Sequence, residues 1–137
     1  MATFKTFEDI EAWQLSRQIT RSIYEITGQG VFARDFGLKD QIRKASVSIM
    51  SNIAEGFERN GTKEFIQFLA TAKGSAGEVR AQLYVALDLG YVEQSVFEDL
   101  SGSIIKVSRM LSGLMSYLYR TNLKGTKFKN HEANLKP

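Results

Sequence analysis

A chain of 137 residues is long enough for one domain with a substantial core, and 43% hydrophobic against 24% charged residues is the balance of a soluble globular protein. The absence of cysteine excludes disulfides and thiolate metal sites, and the single histidine, His131, excludes histidine-dependent nucleophilic triads and Glu-x-x-His di-iron sites. The net charge of +3 is unevenly spread: from residue 100 onward seven basic residues face Glu132 alone, a local excess of six positive charges, while the rest of the chain is negative by three.

The N-terminal segment MATFKTFEDI carries Glu8 and Asp9 and has no apolar run, so it does not read as a secretory signal. No apolar stretch has membrane-spanning length, and the expected location is the cytoplasm. Thr6 is the expected cap of a first helix, with Glu8, Asp9 and Glu11 placed against its N-terminal dipole. Phe7, Ile10, Trp13, Ile19, Ile23 and Ile26 recur at helical spacing, and Gly28 and Gly30 end the run. VFAR then forms a short connector, and Asp35 caps a second helix that runs to about Arg59.

The second helix presents two stripes. Leu38, Ile42, Ser46, Ile49, Ile53 and Gly56 fall together as a mostly apolar face. Gln41, Ala45, Ser48, Asn52, Glu55 and Arg59 form a second, small and polar face that ordinary core packing does not require. The first stripe is expected to build the fold. The second, with Gly56, is expected to set how helices or subunits meet.

Asn60 and Gly61 make the next turn, since both tolerate a left-handed backbone. Thr62 caps the third helix, whose buried face is Phe65, Phe68, Leu69, Ala72, Ala76, Val79, Leu83 and Ala86. Inside it lies another small stripe, Ala70, Gly74, Gly77 and Ala81, next to Glu78. A mid-helix glycine costs about 1 kcal/mol relative to alanine, so two at helical spacing point to a close helix approach, or to a kink at GSAG. On the first reading, Gly77→Leu breaks folding or assembly by overpacking.

Gly90 ends the third helix, and Ser95 with Glu98 forms a capping box for the fourth. Phe97, Leu100, Ile104, Val107, Leu111, Leu114 and Leu118 give that helix an apolar seam, and Gly125 closes it. No strand pattern appears. Four helices on short loops predict an all-α, antiparallel up-down-up-down four-helix bundle over 1–125, with 126–137 a basic, flexible tail.

Neither catalytic nor cofactor chemistry is legible. Gly28-Gln29-Gly30 lacks the third glycine and the preceding strand of a dinucleotide loop, and Glu55 with Glu58 reads as surface charge. No metal ligand set, cofactor or enzymatic role is therefore expected. Trp13, Tyr84, Tyr91, Tyr117 and Tyr119 read as packing residues rather than base-stacking platforms, though Tyr119 beside Arg120 is worth a test.

The segments QIRKASVSIMSNIAEGFER and EFIQFLATAKGSAGEVRAQLYVALDLGY, with the seam ending SRMLSGLMSYL, resemble the four-helix-bundle proteins encoded in 23S ribosomal RNA intervening sequences. FEDIEAWQLSRQITRSIYEIT is similar to that family's first helix, so the resemblance spans roughly residues 4 to 120. The chain departs from the family at VFARDFG, where members usually carry a proline, and in its basic tail from Lys124. The resemblance implies a homopentamer of side-by-side bundles. It also implies kinship with accessory proteins of diversity-generating retroelements, which bind nucleic acid and a reverse transcriptase. It implies no settled activity.

Two function classes follow as expectations. The first is a non-enzymatic oligomer that binds RNA or DNA through Arg43, Lys44, Arg59, Lys63, Arg109, Arg120, Lys124, Lys127 and Lys129. Arg43 and Arg59 have a second possible role, pairing with Glu55 or Glu78 inside the polar stripe. The second class is an interaction scaffold that docks a reverse transcriptase or another enzyme. A selfish-element protein without a host role is a third possibility.

Overall fold

A computed structural model describes the backbone of residues 4–135 and the side chains of residues 4–122. Among the described residues every regular element is helical: a short 3₁₀ turn at Phe7–Asp9, α1 at Glu11–Thr27, a second 3₁₀ turn at Phe32–Arg34, α2 at Phe36–Glu58, α3 at Thr62–Asp88 and α4 at Gln94–Leu135. The four long helices form a bundle in which α1 packs on α2, α2 on α3, α3 on α4, and α4 back on α1.

The apolar stripes meet in one core. From α1 come Ala12, Ile19 and Ile23; from α2, Ile42, Ala45, Ile49 and Ile53. The buried face of α3 carries Phe65, Leu69, Ala72, Ala76, Val79, Leu83 and Ala86, the predicted set except for half-buried Phe68. In α4, Phe97, Leu100, Ile104, Val107 and Leu111 are buried, whereas Leu114 and Leu118 are only half-buried. With only 17 residues, α1 is much shorter than α4, so the far end of the α4 seam has less to pack against.

Helix boundaries show where local chemistry decided and where it did not. Thr6 does not start α1. The backbone N–H groups of Lys5 and Thr6 donate to Asp9 Oδ2 at 2.9 and 3.1 Å, closing a separate turn. The extended backbone of Ile10 (φ −79°, ψ 118°) then sends its side chain into the core, and α1 begins only at Glu11. Those two donors hold the Asp9 carboxyl below its ordinary value of 3.8.

Asp35 caps α2 as expected, its Oδ1 accepting from Leu38 N at 3.1 Å. Its other oxygen accepts from the Tyr91 hydroxyl at 2.9 Å, and the Tyr91 ring lies 5.1 Å from that of fully buried Phe32. The α1–α2 and α3–α4 connectors are thereby joined at one end of the bundle. The hydrogen bond to Asp35 raises the Tyr91 phenol above its ordinary 10.0. The fold thus favours the neutral phenol. That contribution to stability is complete below the unfolded value and is lost as pH rises through the folded one.

At the α2–α3 turn only Asn60 is left-handed (φ 61°). Gly61 has φ −115° and is itself the N-cap of α3, the place expected for Thr62. Gly90 (φ 73°) ends α3 in a Schellman motif: Tyr91 N donates to Ala86 O and Gly90 N to Leu87 O. The fourth helix starts at Gln94, so Ser95 lies inside its first turn, and Glu98 Oε1 accepts from Gln94 Nε2 at 3.0 Å. Nor does Gly125 close this helix, whose backbone continues to Leu135. One glycine lowers helix propensity but does not stop a helix unless the chain must turn there.

Candidate nucleic-acid interface

The polar stripe of α2 faces α3. Ser48 Oγ and Ser75 Oγ are 2.9 Å apart across the two helices, and Asn52 Nδ2 donates to Ser48 O and Oγ at 2.8 and 2.9 Å. Gln82 Nε2 reaches Gln41 Oε1 at 3.4 Å. Where the stripe opens to solvent, Gln41, Lys44, Ala45, Ser48, Ser75 and Glu78 line a shallow groove of about 230 Å³. Its two charged residues have opposite sign. Glu55 is exposed, paired with Arg59 rather than with α3.

A tight helix contact lies one turn further on, at Gly56. A Cβ there would lie 2.6 Å from Phe68 Cβ and 3.1 Å from Phe65 Cδ1, so only hydrogen fits. The glycines of α3 behave in the opposite way. Gly74 and Gly77 are exposed, with no other element among the described residues within 4 Å of where a methyl group would stand, and Ala70 and Ala81 are exposed beside them. The helix passes through GSAG without a break. Helix contact within the bundle therefore does not account for these two glycines, and a methyl group at Gly77 meets no overpacking among the described residues. The helical spacing holds, but the buried face of α3 points the other way.

The predicted cations divide by what they touch. Half-buried Arg43 is a structural clamp. Its Nε donates to buried Thr27 Oγ1 at 2.8 Å, its other nitrogen donates to Tyr24 O at 3.3 Å, and its guanidinium lies 4.4 Å from the Tyr24 ring centre. A cation on the last turn of α1 also meets the negative end of that helix dipole. The partner is thus the end of α1, not Glu55 or Glu78.

Arg59 pairs with Glu55 Oε1 at 3.0 Å and lies 5.4 Å from the Phe68 ring centre. Both partners are half exposed, so the pair is worth only about 0.3–0.5 kcal/mol and leaves Arg59 available. Lys44, Lys63, Arg109 and Arg120 are exposed, and none forms an ion pair among the described residues. Tyr119, beside Arg120, is 59% exposed and so offers its ring to solvent. The side chains of Lys124, Lys127 and Lys129 lie outside the described residues.

Arg80 is a cation that the sequence did not single out. With Arg109 it flanks a cleft of about 110 Å³ between α3 and α4, beside Gly77 and Ser108. Its neighbour in the cleft is 29 residues away in sequence, so a count of charge by segment could not pair them. Among the described residues no group of three His, Asp or Glu side chains is placed to hold a metal ion. No described helix is long and apolar enough to cross a membrane.

The model of the 23S rRNA-intervening sequence protein family matches residues 8–113, which takes in α1, α2, α3 and the first half of α4. This chain belongs to that family. No curated protein matches it. Among solved structures, a protein of unknown function from the S23 ribosomal protein family of Bacteroides thetaiotaomicron VPI-5482 is 20% identical, with a TM-score of 0.70 over 76% of this chain and 97% of that one. At that identity the likeness extends to the helical fold alone. The matched region of the intervening-sequence family covers the whole Arg80–Arg109 cleft but stops short of Arg120 and the basic residues after it.

Proposed function

We propose that this member of the intervening-sequence family is a non-enzymatic, self-assembling protein that binds nucleic acid through exposed cations. The observation that carries the reading is the division among those cations. Arg43 is consumed by the fold, whereas Lys63, Arg109 and Arg120 stand in solvent without a described carboxylate partner. Such side chains hold phosphates through charge and do not read sequence.

Assembly multiplies this weak charge. Consecutive helices on short connectors run up-down-up-down, and five such bundles side by side carry +15 from chains of +3. Self-association follows from the family resemblance, and exposed Ala70, Gly74 and Ala81 keep the outer side of α3 small. Tyr84, Val85 and Leu89, exposed further along the same helix, favour a second reading: a scaffold docking a reverse transcriptase or another protein.

The test is RNA and DNA binding by the purified protein over a salt series, with mass measured in solution. The expected result is a pentameric mass and an affinity that falls steeply with salt. Absent or salt-independent binding, with recovery of a protein partner that survives nuclease treatment, supports the scaffold instead.

A further inference from the structure

We propose that the cleft between α3 and α4, with Arg80 and Arg109 on either side of Gly77, is the protein's seat for a phosphodiester group of a single nucleic-acid strand. This rests on the nucleic-acid reading above and gives it a location.

The chemistry of the lining carries the proposal. Among the described residues the two guanidinium groups are the only ionisable groups lining the cleft, and neither makes an ion pair. The neighbouring α2–α3 groove differs in that Lys44 faces Glu78 there, so no net charge is offered to an anion. Guanidinium groups present paired N–H donors that match phosphate oxygens. Ser108 adds a half-buried hydroxyl on the same side. Ile104 and Ile105 supply the apolar part of the lining and compete for no donor.

Size and shape agree with a small anion. A cleft of about 110 Å³ has room for a phosphate group. Gly77 gives the strand access. With no Cβ, and nothing within 4 Å of where one would stand, the helix backbone is bare at the mouth of the cleft. Glycine is a poor residue for the middle of a 27-residue helix, and no packing inside the bundle requires it at this position. Its lack of a side chain leaves the α3 backbone accessible to a strand lying against the helix. The exposed Lys73 and Lys106, on α3 and α4, extend the positive field along the same pair of helices.

Fluorescence anisotropy with the full-length protein tests this, using short mixed-sequence single-stranded RNA and DNA probes over a salt series. Replacing both arginines (Arg80→Gln with Arg109→Gln) is expected to weaken low-salt binding roughly tenfold and to lower the log–log salt slope by about 0.7, one single-strand phosphate contact. Gly77→Leu is expected to weaken binding likewise while keeping wild-type mass and an equal or higher melting temperature. Arg21→Gln, remote on α1 and paired with Glu25, is expected to leave affinity and slope unchanged. The RNA and DNA arms show whether the sugar contributes. If the wild type binds with a steep slope and neither cleft variant alters it, the cleft proposal is overturned while the nucleic-acid reading stands. If the wild type binds neither probe, both fail. A Gly77→Leu protein of altered mass overturns the cleft in favour of a subunit contact at that glycine.

Discussion

Gly56 and Gly77 carry the same signature in sequence, a helical glycine on a stripe of small residues, yet they stand in opposite environments. At Gly56 the α2 backbone is pressed onto Phe68, and a methyl group would have to occupy space 2.6 Å from that residue's Cβ. At Gly77 the same methyl group would meet nothing within 4 Å. One glycine is required by the bundle. The other weakens its helix, and no packing among the described residues requires it. Small residues at turn spacing therefore mark places where something comes close; they do not say whether that something is the next helix.

Substitutions along the two surfaces can sharpen or break this contrast. The largest effect is expected at the tight contact. Gly56→Leu should cost about 3 kcal/mol, since neither backbone nor the root of the Phe68 side chain can yield without separating α2 from α3. Urea denaturation measures it, and an unchanged midpoint would mean that the two helices are free to part. The next effect has the opposite sign. Gly74→Ala on the open face should stabilise the chain by about 1 kcal/mol from helix propensity alone, with solution mass unchanged. A loss of stability or mass there would reveal a neighbouring backbone against α3 in the assembled protein. The smallest effect separates the two sides of α3 by their hydroxyls. Ser75→Ala removes the 2.9 Å hydrogen bond to Ser48 and should cost about 1 kcal/mol, whereas Ser108→Ala, across from Gly77, should leave the melting temperature within a degree or so. Equal losses would show that both helix pairs are sealed alike.

Much of the architecture was legible because it depends on spacing. The buried faces of α2 and α3 follow from the three- and four-residue steps of their apolar residues. The Asp35 cap and the Gly90 stop follow from side chains acting on backbone a few residues away. Misreadings gathered where a distant partner overrode a local preference. Thr6 looks like the cap of the first long helix, but the backbone is extended at buried Ile10 and α1 begins only after it. Arg43 looks like a phosphate contact, but Thr27, 16 residues earlier, holds it at the end of α1. Arg80 drew no notice for the complementary reason, since its importance comes from Arg109 across a helix boundary.

By itself the sequence determined that the chain is helical, how many long helices it makes and which side of each is apolar, because those properties follow from periodicity and from turn residues acting within a few positions. It also carried enough of its kin's pattern to declare its family. Only the tertiary structure decided which cations are free, which small stripe is covered, and that two arginines from different helices share one cleft. A helical wheel fixes the angle between residues of one helix but not the direction in which its neighbours stand, and that direction is set by how four apolar faces close on each other at once.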